Sequence, residues 1–113
     1  MTTEPTLVQI FGAGAVQDSA SLTIQKAALT AVGLTASSNN SAESLLIALL
    51  LVAKENLTPE NHDINLDQSV TITNGVIPSF VARGTSQIQY RQDTFTVAVE
   101  KPEGLIVIDP DDY

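Results

Sequence analysis

Leu45-Leu-Ile-Ala-Leu-Leu-Leu-Val52 is a run of eight apolar residues inside an acidic chain rich in Ser, Thr, Asn and Gln. A helix built on this run is apolar all round, so it must be covered all round, by its own sheet, by a second copy of the chain, or by both. The run is far short of the roughly 20 residues a membrane-spanning helix needs, and Lys54 and Glu55 close it. Asn40 with Glu43 three residues later reads as a capping box, which predicts a helix from about residue 41 to residue 55 with Asn56 as its stop.

Upstream, Thr6 to Phe11 reads as a first strand, because Leu7, Val8, Ile10 and Phe11 are apolar and both of its faces can be covered. A loop of small residues over 12–20 and a short strand over 21–25 follow. A short helix over 26–32 ends at Gly33, in the usual role of glycine after a helix C-terminus. Downstream, Thr58-Pro59-Glu60 restarts one helical turn, with threonine as cap and proline at the first helical position.

From Leu66 onward the pattern has period two. Residues 69–73 alternate, Asn74-Gly75 is a tight-turn dipeptide, and strands over 79–83 and 86–92 flank a turn at Gly84. Phe95, Val97 and Val99 alternate as inward positions, and 105–108 reads as a last short strand. The apolar positions Ile88 and Tyr90 are even-numbered while Phe95, Val97 and Val99 are odd. A continuous strand cannot change parity, so a bulge or turn belongs near Gln92 and Asp93. The expected fold class is α+β, one buried apolar helix packed on a mostly antiparallel β-sheet, in a single domain over 1–113. A chain of 113 residues buries roughly 65% of its unfolded surface, enough for one core.

The chain carries a formal net charge of −8 from 13 acidic and 5 basic residues. The cations Lys26, Lys54, Arg83, Arg91 and Lys101 are scattered singly, whereas nucleic acid requires them clustered and an anionic membrane repels an acidic chain. The expected partners therefore include neither nucleic acid nor membrane. No cysteine is present, which excludes disulfides and thiolate metal sites. The N-terminus lacks the basic and apolar regions of a signal peptide, so a soluble, cytoplasmic and unsecreted protein is expected.

Motifs with chemical content are incomplete. Gly12-Ala-Gly14 opens a dinucleotide fingerprint, but Gln17 stands where the third glycine belongs, and a tight turn is the better reading. Asp63, Asn65 and Asp67 have the spacing that opens a calcium loop, but Gln68 and Asn74 replace its glycine and its bidentate Glu. His62 is the sole histidine and lies in a polar connector, without the nucleophile that a Ser-His or Cys-His pair requires. Asp109, Asp111 and Asp112 form a terminal acidic run that reads as solvated. No catalytic, cofactor or metal residue is assigned, and the chain reads as non-enzymatic. Phe80, Tyr90 and Tyr113 are the candidate anchors of a partner interface.

Three stretches carry a resemblance: Ile10-Phe-Gly-Ala-Gly-Ala15, the connector Ser37-Ser-Asn-Asn-Ser-Ala-Glu-Ser44 before the apolar helix, and the closing Asp109-Pro-Asp-Asp-Tyr113. In layout the chain resembles small accessory virion proteins of tailed phages, those of cyanobacteria among them. The resemblance implies a virion location and a structural part: capsid cement, a neck component, or a tail or fibre-attachment protein. It transfers no functional residue. The expected function is a non-enzymatic subunit of a homo-oligomer, partnered by itself and by another structural protein. The alternative is a small binding module that holds a ligand or calcium in loop 12–20 or loop 61–67.

Overall fold

The structure, a computed structural model, describes residues 3–104 and 107–113. Its longest element is the helix written by the apolar run. It spans Ala42–Asn56, preceded in chain order by α1 (Leu7–Phe11) and α2 (Lys26–Leu29) and therefore labelled α3. Its N-cap is Ser41, whose hydroxyl accepts the Ser44 N–H at 3.1 Å. This shifts the expected start by one residue. Asn40 is engaged elsewhere: its amide donates to the Thr35 carbonyl at 2.9 Å and accepts from the Ser37 N–H at 3.0 Å, closing the preceding loop. Glu43 lies in the first turn and Lys54 in the last, each at the end of the helix dipole that favours its charge.

Two clusters hang on α3. Leu29, Ala48 and Val52 form the first, with Ile24, Val32, Leu34, Leu45 and Leu49 packed around them. Ala53, Leu57 and Ile72 form the second, with Ile10, Val70 and Phe95. Leu46 and Ile47 remain more than half exposed. The helix is thus covered on one side rather than all round, because the elements beside it are too short to wrap it.

The segment expected as a first strand is helical. Thr6 caps α1 through a capping box: its hydroxyl accepts the Gln9 N–H at 3.2 Å, and the Gln9 amide oxygen accepts the Thr6 N–H at 2.9 Å. The apolar run is short enough to fit either period, and this local cap decides in favour of helix. α1 packs against α3. Gly12 then ends it at φ 96°, donating its N–H to the Val8 carbonyl at 2.9 Å. A small hairpin follows, β1 (Val16–Gln17) with β2 (Leu22–Thr23). α2 runs on into a 3-10 turn over Thr30–Val32, which Gly33 stops in the left-handed region.

After α3, the helix α4 (Pro59–Ile64) starts under a Thr58 cap, as the Thr-Pro-Glu signal requires. The remaining strands are β3 (Val70–Asn74), β4 (Ser79–Arg83), β5 (Ile88–Gln92) and β6 (Phe95–Val99). β3 pairs with β6 and β4 with β5, both antiparallel. The inner pair is nested in the outer one, so the four strands make one long ribbon folded at Gly84–Gln87. Asn74 faces Phe95 and Ser79 faces Gln92, so residues 75–78 oppose only 93–94. The parity change lies where alternation placed it. Asn74-Gly75 is not a hairpin turn, however: the Gly75 N–H donates to the Thr94 carbonyl at 2.8 Å, and a Cβ at Gly75 would collide with the Thr94 hydroxyl.

The architecture is α+β with antiparallel pairs, but in two-stranded pieces rather than one sheet. α3 reaches it chiefly through β3, with Phe95 of β6 at the margin of the same cluster. Phe95 is partly buried as expected, but Val97 and Val99 are 49% and 41% exposed, because, among the described residues, the helical side chains that cover β3 reach no farther along β6 than Phe95. Of the expected last strand, residues 105 and 106 lie outside the described residues, and Val107 and Ile108 are not in a strand.

Gly12 offers a test of how tightly the N-terminal half is packed. A Cβ there would sit 2.6 Å from the Ala28 Cβ, on a backbone with φ 96°. Gly33 shares the positive φ but has open space around it. Gly12→Ala is expected to cost roughly 1–3 kcal/mol beyond Gly33→Ala, since it adds overpacking to the same backbone strain. Urea denaturation of the two variants checks this.

Candidate functional site

The two loops considered as ligand loops are occupied by their own backbone. In loop 12–20, Gly12 and Gly14 allow close approach to Ala28 and to the Gln25 side chain, so the glycine pair serves packing. Asp18 holds the hairpin turn: its carboxylate accepts from the Ala20 N–H at 2.8 Å, the Ser21 N–H at 2.9 Å and the Ser21 hydroxyl at 3.3 Å. Bonds from these two amides hold the Asp18 carboxyl below its ordinary value of 3.8.

In loop 61–67, Asp63 belongs to α4 and Asn65 is its C-cap. The Asn65 amide brackets the N-terminal segment, accepting the Thr3 N–H at 3.0 Å and donating to the Thr3 carbonyl at 2.7 Å. It also accepts the Asp67 N–H at 3.1 Å. Among the described residues no three His, Asp or Glu side chains converge as a metal site would. His62 is half-buried, not free in solvent: its Nε2 lies 2.7 Å from the Glu100 carboxylate, tying α4 to the end of β6. Asp112 of the terminal acidic run is likewise engaged, accepting from the Lys101 ammonium at 3.0 Å while that group also donates to the Val107 carbonyl at 2.9 Å.

A cleft of about 230 Å³ lined by Gln9, Asn56, Asn61, Asn65 and Gln68 escaped the sequence reading. Its carboxamides act as structural stitches. Asn56 donates to the Gln9 carbonyl at 2.8 Å, and Asn61 to the Asn56 carbonyl at 2.8 Å. Buried Gln68 donates to the carbonyls of Thr58 and Val70 at 3.1 and 2.9 Å. Isolated Asn and Gln residues carry no periodic signal, and only the fold assembles them.

The three aromatic anchors fall on separate surfaces. The ribbon register puts Val81, Arg83, Ile88 and Tyr90 on one face of the β4–β5 arm, and Phe80, Ala82, Gln89 and Arg91 on the other. Phe80 and Tyr90 are both exposed but back to back. The Arg83 guanidinium stands 5.4 Å over the Tyr90 ring, which fixes Tyr90 as part of a cationic apolar face. At the base of the arm Val76 and Ile77 are 96% and 82% exposed. Tyr113 lies apart, in a groove with Val99, Glu100, Glu103, Val107 and Ile108. No family model matches the chain, and neither a curated protein nor a solved structure matches it.

Two outcomes follow from these occupied loops. The Ala20 and Ser21 amide shifts are expected to titrate with a midpoint below 3.8, the bonds to Asp18 being complete above that pH and lost as pH falls through the lowered value; NMR titration reads this directly. Calcium at millimolar concentration is expected to leave the thermal midpoint unchanged, since the Asn65 oxygen is already spent on backbone amides. A calcium-dependent upward shift in a melting scan would reinstate loop 61–67 as a cation loop.

Proposed function

We propose that the chain is a non-enzymatic structural subunit that associates with copies of itself through the β4–β5 arm and the neighbouring open face of β6. The observation that carries this reading is the ribbon itself. A two-stranded arm is marginal alone in water, and this one presents Ile77, Phe80, Ile88 and Tyr90 to solvent.

Global dimensions support the same reading. The accessible surface is 8443 Å², against about 6,000 Å² for a folded monomer of this mass. The radius of gyration is 16.7 Å, against about 13 Å for a compact chain of similar length. The surplus surface is of the size that obligate interfaces bury, and it is apolar where the arm projects. We take the setting to be that of an accessory virion protein of a tailed phage, on the strength of the layout it resembles, with a further structural protein as second partner.

Light scattering at low and high protein concentration tests the proposal. The expected mass is a fixed multiple of 12.0 kDa that does not drift with dilution. Ile88→Ser with Tyr90→Ser is expected to lower that mass while leaving the helical circular-dichroism signal intact. A wild-type mass of 12.0 kDa at every concentration would sink self-association.

A further inference from the structure

The charges of this chain are segregated along the ribbon. Residues 68–92 contain Arg83 and Arg91 and no acidic residue, a net +2, whereas the rest of the chain carries −10. The arm is therefore a cationic apolar projection on an anionic body. At the other end of the ribbon lies a groove of about 490 Å³ with Val99, Val107, Ile108 and Tyr113 on its walls. Of its charged lining, Glu100 pairs with His62 and Lys101 with Asp112, which leaves Glu103 as its acidic group without a salt bridge among the described residues. Val107 and Ile108 are exposed there, although apolar.

Resting on the self-association proposed above, we infer that contact between copies is head-to-tail: the arm face of Val81, Ile88 and Tyr90 from one chain enters the Val99–Tyr113 groove of the next, with Arg83 meeting Glu103. Two observations choose a second copy as the occupant. The first is charge. Arg83 is held over Tyr90 at the apolar face rather than neutralised by a salt bridge among the described residues, while Arg91 on the opposite face pairs with Asp93 at 3.0 Å. A cation left beside an apolar face selects an apolar groove with an acidic rim. The second is area. Each chain owns one arm and one groove, so in a closed ring it takes part in two contacts, burying about 800 Å² of its own surface in each at standard interface size. That total, about 1,600 Å², fits within the surplus of 8443 Å² over the surface of a compact monomer. Because the two patches differ, the contact is heterologous and builds a ring or an open chain rather than a two-fold dimer.

Charge reversal with rescue decides the matter by light scattering. Arg83→Glu alone and Glu103→Lys alone are each expected to reduce the assembly to 12.0 kDa monomers, since arm and groove then carry like charge. Mixing the two variants is expected to restore the assembly, because each arm again meets a groove of opposite sign; misfolded variants would not rescue one another. Wild-type assembly should also loosen between 0.1 and 1 M salt, in line with a Debye length that shrinks from about 10 Å to about 3 Å. If wild type assembles but both reversals leave its mass unchanged, or if the mixture fails to reassemble, the arm-in-groove contact is overturned while self-association stands. A monomeric wild type overturns both and assigns the arm and the groove to a different protein.

Discussion

Leu57 sits at a joint between the helical half and the ribbon that is both apolar and hydrogen-bonded. It caps α3, it is 3% exposed, and it packs with Ala53 against Ile72. Its carbonyl accepts the Ile72 N–H at 2.9 Å, which occupies a backbone donor on the edge of β3 away from β6. Everything downstream depends on this contact: β3 is positioned by it, β6 by pairing with β3, and the β4–β5 arm by continuing from both. A core made of small residues such as Ala48, Val52 and Ala53 lets backbones approach closely but buries little area for each residue. The helical half is accordingly thin, and one flank of α3 stays open.

Polar side chains compensate for that thin core. Gln68, Asn56, Asn61 and Asn65 each bond backbone groups of a neighbouring segment, so connectors that would otherwise be loose are fixed at small cost in apolar area. A buried amide is tolerable only when its donors are satisfied, and Gln68, with two carbonyl acceptors, meets that condition. Asn65 in loop 61–67, like Asp18 in loop 12–20, is engaged with backbone amides of its own surroundings. Apolar surface stays open both on the helical half, at Leu46, Ile47, Ile64 and Leu66, and along the ribbon, where it is joined by Arg83. An uncovered ribbon edge invites pairing with other chains, and the self-association proposed above would use the face where Arg83 and apolar side chains invert the sign of the acidic body.

The sequence by itself determined the long helix to within one residue, the caps at Thr58 and Gly33, the strands of the ribbon and the parity break near Asp93. Each of these rests on local chemistry: an apolar run, a side chain that reaches its own first turn, a left-handed backbone, a period of two. Tertiary structure alone decided the rest. Residues 7–11 pack as a helix on the flank of α3, although the Thr6–Gln9 cap that starts it is local and was legible in the chain, and Asn74-Gly75 kept the ladder because Thr94 lay opposite it. Val97 and Val99 were left open because, among the described residues, the helical side chains that reach Phe95 do not extend farther along β6, and Phe80 was separated from Tyr90 by a register that a one-residue slip would invert. The carboxamide cleft and the Val99–Tyr113 groove combine residues from distant parts of the chain, and a linear pattern holds no information about which distant residues a folded joint at Leu57 will bring together.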